Sequence, residues 1–353
     1  MGLVIGIAKE CKPMEGRVAL VPHAVAELVA SGCEVFIEKG AGSLSGFSDQ
    51  EYEAVGAQIA DNHAALFEHA TLIVKVKEPI AEDLQHLRSH HLLFCYLHLA
   101  PNPQLTASLC DIGLTAVAFE TVYDGGKIPL LAPMSEIAGR VSVQAGMHYL
   151  HGSIGGKGLL LGGVAGTEPG KVVVIGAGVA GQNAAQMAAA VGAQVVAFDR
   201  NAAALREIEK IAPNINGVYS YQGAIAKAME DADMVVGAVL LPGAKAPRIV
   251  TREMVANMPD GGVIVDISID QGGCIETIRA TDYRDPIYTE EGVIHMGVTN
   301  MPGAVPRTAS EALSGAILPY VAKLASGQLQ SNLPLREGIN VSDGKIVLPA
   351  LLE

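Results

Sequence analysis

Residues 171–181 read KVVVIGAGVAG, which is an apolar β-branched run, then Gly-x-Gly-x-x-Gly, then the start of an alanine-rich helix. A strand that turns on glycine into a helix is the dinucleotide-binding arrangement. Gly176 permits the tight turn, Gly178 lets the backbone approach a pyrophosphate, and Gly181 lets helix and strand pack closely. The helix N-terminus then offers unpaired N–H groups and partial positive charge to phosphate. The motif alone is weak, and it gains weight here from the strand before it and the helix after it. Asp199 ends the next apolar run, about 20 residues on, where a carboxylate accepts from the ribose hydroxyls and repels a 2′-phosphate. NAD is therefore expected over NADP, with Arg200 softening that preference. The alternative for Asp199 is a helix N-cap or a solvated loop acid.

The same stretch tests a membrane reading, because Val172 to Phe198 holds no charged residue and is long enough to span a bilayer. Its four glycines, with Gln182, Asn183, Gln186 and Gln194, fit a buried βαβ unit better, so no membrane partner is expected. A net charge of −13 without a clustered basic face argues against nucleic acid. The five cysteines, an odd number with no Cys-x-x-Cys pair, read as reduced thiols, and no metal site is expected. The start, MGLVIGIAKE, has no basic region ahead of its apolar run, so the expected location is cytoplasmic.

A chain of 353 residues has room for two cores. In the first third, LVIGIAKE, CEVFIEKG, TLIVKVKEP and HLLFCYLHLAP read as strands, with HAVAELVASG and DQEYEAVGAQ as helices between them. From residue 171 a second series follows: strand, glycine turn, helix, then QVVAFDR, ADMVVGAVLLPG and GGVIVDISID as strands. Strands alternating with helices imply mostly parallel sheets. The expectation is an α/β chain of two Rossmann-like doubly wound domains with a cleft between them. Residues 1–130 plus 306–353 would form the substrate and catalytic domain, and 131–305 the NAD-binding domain. Met134 to Gly156 would be a helical connection, and Ser310 to Leu324 a helix returning to the first domain.

Polar residues stand where a sheet should be apolar. Lys75 and Lys77 interrupt LIVKVKEP, and strand alternation would set both on one face. An unpaired ammonium is costly to bury, so at least one should face a cleft, although a solvated edge-strand face explains them as well. Tyr96 and His98 share a face of HLLFCYLHLAP, where His98 is a catalytic candidate or a satisfied structural histidine. Asp270 ends VIVDISID, placed to reach the nicotinamide end of a cofactor or to initiate a turn.

Eight blocks occur in order: RVALVP at 17–22, KVKEP at 75–79, LHLA at 97–100, LAPMSE at 131–136, the glycine turn at 176–181, GAKAP at 243–247, IDQGG at 269–273 and NMPGAVP at 300–306. Together they resemble the alanine dehydrogenase family over nearly the whole chain, thinning after about residue 325. The resemblance implies that Arg17 grips the substrate carboxylate, as a guanidinium fork can, and that Lys77 binds substrate and polarises its carbonyl or imine. His98 and Asp270 are implied as catalytic. Ser135, Gly178, Asp199, Ser220, Asp270, Asn300 and Met301 are implied as cofactor contacts beside Gly176 and Gly181, with Asn300 also close to substrate. Some relatives carry a basic residue where Ala204 stands here, which leaves the adenosine end less defined.

The implied reaction converts L-alanine, water and NAD⁺ to pyruvate, ammonium, NADH and a proton, by a homo-oligomer, commonly a hexamer. Three other readings stay open. A nucleotide-binding transhydrogenase subunit would lack a histidine and an aspartate at positions 98 and 270. An amino-acid dehydrogenase for a larger substrate would differ in pocket size. A non-catalytic NAD-binding scaffold would bind NADH without turnover.

Overall fold

The structure is a computed structural model, and it describes residues 2–240 and 245–352. Its strands in chain order are β1 (Ile5–Ile7), β2 (Val35–Glu38), β3 (Gln58–Ala60), β4 (Leu72–Val74), β5 (Leu92–Cys95), β6 (Thr115–Ala118), β7 (Lys171–Ile175), β8 (Gln194–Asp199), β9 (Ile215–Tyr219), β10 (Met234–Gly237), β11 (Val263–Asp266), β12 (Ile287–Glu290), β13 (Val293–Met296), β14 (Ile339–Ser342) and β15 (Lys345–Ile346). They form two sheets, ordered β15-β14-β6-β5-β4-β1-β2-β3 and β12-β13-β11-β10-β7-β8-β9. Pairing is parallel except at one edge of each sheet, where β14 and β15 in the first and β12 in the second run antiparallel. The chain divides into two compact units, Met1–Met134 with Val305–Glu353, and Ser135–Ala304.

The second unit shows why β7 is apolar from Val172 to Ile175. Val172 and Val174 of β7 share a buried cluster with Ala184, Ala185 and Ala188 of the helix Val179–Ala190. Val173 and Ile175, pointing the other way, join Ile225, Met229 and Val255. A strand covered by helices on both faces has no polar side to show. In the first unit, Ile73, Leu93, Cys95, Ala116 and Ala118 pack with Leu66, Phe67, Leu105 and Leu109. The chain returns to this unit through the helix Pro306–Ala325, and β14 then pairs with β6.

Both sheets reverse direction at a switch point. In the first, β1 is flanked by β2 and β4; in the second, β7 is flanked by β8 and β10. Loops at the carboxyl ends of these strands diverge there and leave a crevice in each sheet. The charge-free stretch 172–198 is strand, turn, helix and strand, and no helix among the described residues is long and apolar enough to cross a membrane.

Two expected strands end early. β4 stops at Val74, so Lys75 and Lys77 lie beyond it; β5 stops at Cys95, so Tyr96 and His98 lie beyond it. Likewise β11 ends at Asp266, and Asp270 sits in the 3-10 segment Ile267–Gln271. Strand alternation therefore does not govern any of these five side chains.

Candidate active site

In the first unit the segments that follow β1, β4 and β5 carry Arg17, Lys77 and His98, on neighbouring strands around the switch point. Arg17 is buried, and Glu15 takes its Nε and one terminal nitrogen, at 2.7 and 2.5 Å. The other terminal nitrogen lies 3.1 Å from the Met134 sulfur. The segment after Arg17 is pinned to the returning helix, where Ser310 and Ser314 hydroxyls accept from Val18 and Val21 N–H at 2.9 and 3.0 Å. One bidentate edge of the guanidinium thus holds a protein carboxylate, which fixes its plane.

The two lysines part company. Lys75 is 1% exposed and sits 2.9 Å from Asp83 and 3.8 Å from Glu10. Burial would strip its proton, but the two carboxylates outweigh that and raise its pKa. Glu10 in turn accepts from Val76 N–H at 2.6 Å and Lys77 N–H at 3.4 Å, and Asp83 from Ile80 N–H at 2.8 Å. His63 lies between Glu38 and Asp83, at 2.9 and 3.0 Å. Carboxylates only accept, so both ring nitrogens must donate. Burial works against that charge, yet the Asp83 and Glu38 bonds lift the His63 pKa to about 9. A buried ionic lattice therefore supports residues 75–80, while Lys77, half-buried at its surface, makes no side-chain hydrogen bond or ion pair among the described residues.

His98 is exposed and left-handed, with φ +47°. Its N–H donates to Glu120 at 2.6 Å, and its ring stacks on Tyr96, centroids 5.9 Å apart and 14° from parallel. The Tyr96 hydroxyl donates to Leu130 O at 2.6 Å. Burial pushes the Glu78 carboxyl up, but Lys12, bonded to it, and the nearby His98 hold it below the usual carboxylate range.

In the second unit, Gly176 adopts φ +106°, a conformation open to glycine and strained for most residues. A side chain at Gly181 would collide with the Gly176 carbonyl, while one at Gly178 would meet nothing within 4 Å. Gly178 caps the helix Val179–Ala190 without any side-chain cap. A helix N-terminus bordered by an open glycine cradle fits a pyrophosphate. Asp199 ends β8 and accepts from Ala177 N–H at 2.7 Å, inside the glycine turn, and from Asn201 N–H at 2.8 Å. Asn201, not Asp199, caps the following helix. Ser220 follows β9 and donates its N–H to Asp199 O at 3.1 Å. The open glycine turn at a helix N-terminus, with a carboxylate at the end of the next strand, therefore fits a dinucleotide.

Asp270 is exposed in its 3-10 segment and makes no side-chain hydrogen bond among the described residues. Its support is Asp266, which is fully buried and accepts from Ser268, Cys274 and Ile275 N–H at 2.9, 2.8 and 3.3 Å. Asn300, half-buried, is left-handed at φ +62°, and Gly303 N–H bonds its carbonyl. Met301 is 2% exposed within the apolar cluster that includes Ala177, and its carbonyl accepts from the Tyr283 hydroxyl at 2.8 Å. Ser135 lies in the first turn of the helix Ala132–Tyr149, whose Gly139 sits against Ala180 and Ala184 of the helix after the glycine turn. In the block 243–247, Gly243 and Ala244 lie outside the described residues.

Sequence reasoning passed over Glu10, Glu78, Glu120 and Asp266. Two of them carried a signal. Asp266 is a lone acid in the apolar run VIVDISI, and Glu120 is an acid at the carboxyl end of LTAVAFE.

Residues 6–138 match the family description "Alanine dehydrogenase/PNT, N-terminal domain", and residues 142–349 match its C-terminal counterpart. The alanine dehydrogenase of Methanococcus maripaludis is 47% identical, with 99% of this chain and 95% of that one covered. That of Bacillus subtilis is 45% identical, covering 99% and 94%. The chain belongs to the alanine dehydrogenase/PNT family. Among solved structures of that family, an L-alanine dehydrogenase superposes with a TM-score of 0.95 at 46% identity, covering 99% of this chain and 98% of that one. A transhydrogenase from Sinorhizobium meliloti gives 0.87 at 27% identity, covering 98% and 100%. The N-terminal family stretch carries Arg17, Lys77 and His98; the C-terminal one carries the glycine turn, Asp199, Ser220, Asp270, Asn300 and Met301. The C-terminal stretch runs past Ala304, the end of the second compact unit, into the helix that returns to the first.

Proposed function

We propose that this chain catalyses the NAD-dependent, reversible oxidative deamination of L-alanine to pyruvate and ammonia. The observation that carries the reading is likeness to alanine dehydrogenases along the entire chain, in sequence and in fold. Residues 1–130 plus 306–353 would serve the substrate and residues 131–305 the cofactor. The expected assembly is a homo-oligomer, a hexamer on the family resemblance, acting in the cytoplasm on small molecules.

Gly176, Gly178 and Gly181 would hold the NAD pyrophosphate, Asp199 and Ser220 the adenosine end, and Ser135, Asp270, Asn300 and Met301 the remainder. When bound, NAD⁺ supplies the acceptor for the alanine Cα hydride. Arg17, its plane fixed by Glu15, would anchor the substrate carboxylate, and the Lys77 ammonium would polarise the carbonyl or imine. Water must add to the iminium carbon, and the carbinolamine must then release ammonia. Those steps need one group to take a proton and another to give one. His98 and Asp270, both exposed and with functional atoms not hydrogen-bonded among the described residues, would perform them. Asn300 would orient the substrate.

Purified protein given L-alanine and NAD⁺, with no partner protein, is expected to form NADH, followed by its absorbance. In reverse it should consume NADH with pyruvate plus ammonium in preference to larger keto acids. NADH binding without turnover on any amino acid would overturn the reading. Asp199→Ala is expected to lower the preference for NADH over NADPH by about tenfold or more, through loss of a charge-assisted hydrogen bond and a repulsion. The ratio of kcat/KM values for the two cofactors measures it, and an unchanged ratio removes Asp199 from that role.

A further inference from the structure

We infer that Glu120 is a positioning residue for His98, a role that rests on the proposed acid–base work of His98. β5 and β6 run parallel in register, with Cys95 opposite Ala118. That register delivers Glu120, two residues beyond Ala118, beside residues 97 and 98. β5 has already ended at Cys95, and three residues on His98 turns left-handed at φ +47°. Such a backbone is strained for a non-glycine residue and persists only where surroundings impose it.

Glu120 imposes it. Its carboxylate accepts from Leu97 N–H at 3.0 and 3.2 Å and from His98 N–H at 2.6 Å. Those two N–H groups have left the parallel ladder, and Leu97 is fully buried; a buried donor needs an acceptor. An anionic carboxylate, taking both, makes charge-assisted bonds stronger than a carbonyl would. The backbone angle then swings the imidazole out of the strand line, where Tyr96 fixes its plane by stacking. Glu120 sets the backbone from which the ring projects, and Tyr96 sets the ring. Glu120 acts through His98, not on the substrate.

The experiment is kinetic, on the full-length protein. Glu120→Ala is expected to lower kcat about 10–100-fold, the equivalent of hydrogen bonds to a charged group, with the NADH dissociation constant unchanged. Glu120→Gln, which keeps one acceptor oxygen, should recover most of that loss. The double variant Glu120→Ala/His98→Ala should be no slower than His98→Ala alone, since groups acting as one unit are not additive. Losses that multiply in the double variant overturn the inference. So does a Glu120→Ala variant with full kcat. If Glu120→Ala does not fold, Glu120→Asp against Glu120→Gln carries the test. Asp keeps the charge but withdraws the oxygens by one methylene and should be the slower; equal or reversed rates overturn the inference. Full turnover in His98→Ala alone would instead sink the catalytic reading of His98, a separate failure.

Discussion

His98→Ala and Asp270→Ala are each expected to lower kcat by about 10²–10⁴-fold while leaving NADH affinity intact. The two side chains share a signature: each is exposed, each is carried on a segment braced by a carboxylate, and neither functional group is hydrogen-bonded among the described residues. Glu120 braces His98, and Asp266 braces Asp270. Removing either should spare the glycine turn that would bind the cofactor. Steady-state kinetics with pyruvate and ammonium, beside a fluorescence titration of NADH, separate the two effects. Because residue 98 is left-handed, alanine there adds backbone strain. His98→Asn is the matching control, since asparagine tolerates that conformation better. Near-normal turnover in both His98 variants, or in Asp270→Ala, would take that residue out of the mechanism.

Lys75→Met is expected to destabilise the protein by about 3–5 kcal/mol, the scale for removing one partner of a buried ion pair. Lys75 neutralises Asp83 and Glu10 where all three side chains are buried. His63 would keep a bond to Asp83, so the greater damage falls on Glu10. Burial already raises the Glu10 pKa against the pull of Lys75, and without the ammonium it would take up a proton or draw in solvent. Lys77→Met should behave in the opposite way, with stability within about 0.5 kcal/mol and activity lost. Denaturant melts and kinetics on both variants decide the matter. A stable Lys75→Met variant with impaired substrate binding would exchange the roles assigned to the two lysines.

Much of the architecture was readable because its signals are local. The glycine turn needs only the order strand, Gly-x-Gly-x-x-Gly, helix, and the apolar run 171–175 announces a strand covered on both faces. β3, β6, β9 and β12 to β15 carried weaker signals: β3, β9, β12 and β15 are short edge strands, and β14 pairs with β6 from far along the chain. Strand ends were harder for a related reason. HLLFCYLHLAP is mostly apolar and shows no break after Cys95, and the Leu97 and His98 N–H groups that leave the ladder go to a carboxylate at position 120. VIVDISID alternates acceptably, and what stops β11 is Asp266 accepting from residues 268, 274 and 275. Lys75 and Lys77 look equivalent in KVKEP; only Glu10 and Asp83, brought in by other loops, tell them apart. The residues implied by the family resemblance sit on these loop ends, where spacing says least.

The Asp199 carboxylate has a double commitment. One oxygen closes on Ala177 N–H within the glycine turn, while the proposed cofactor would ask the same group to receive ribose hydroxyls. On that proposal, coenzyme choice and the shape of the glycine turn would be inherited together. A lineage drifting toward the phosphorylated coenzyme could not exchange this acid in one step without loosening the loop beneath it. Such a change would need a replacement latch first, so a preference held by this acid would be an entrenched trait rather than a tunable one.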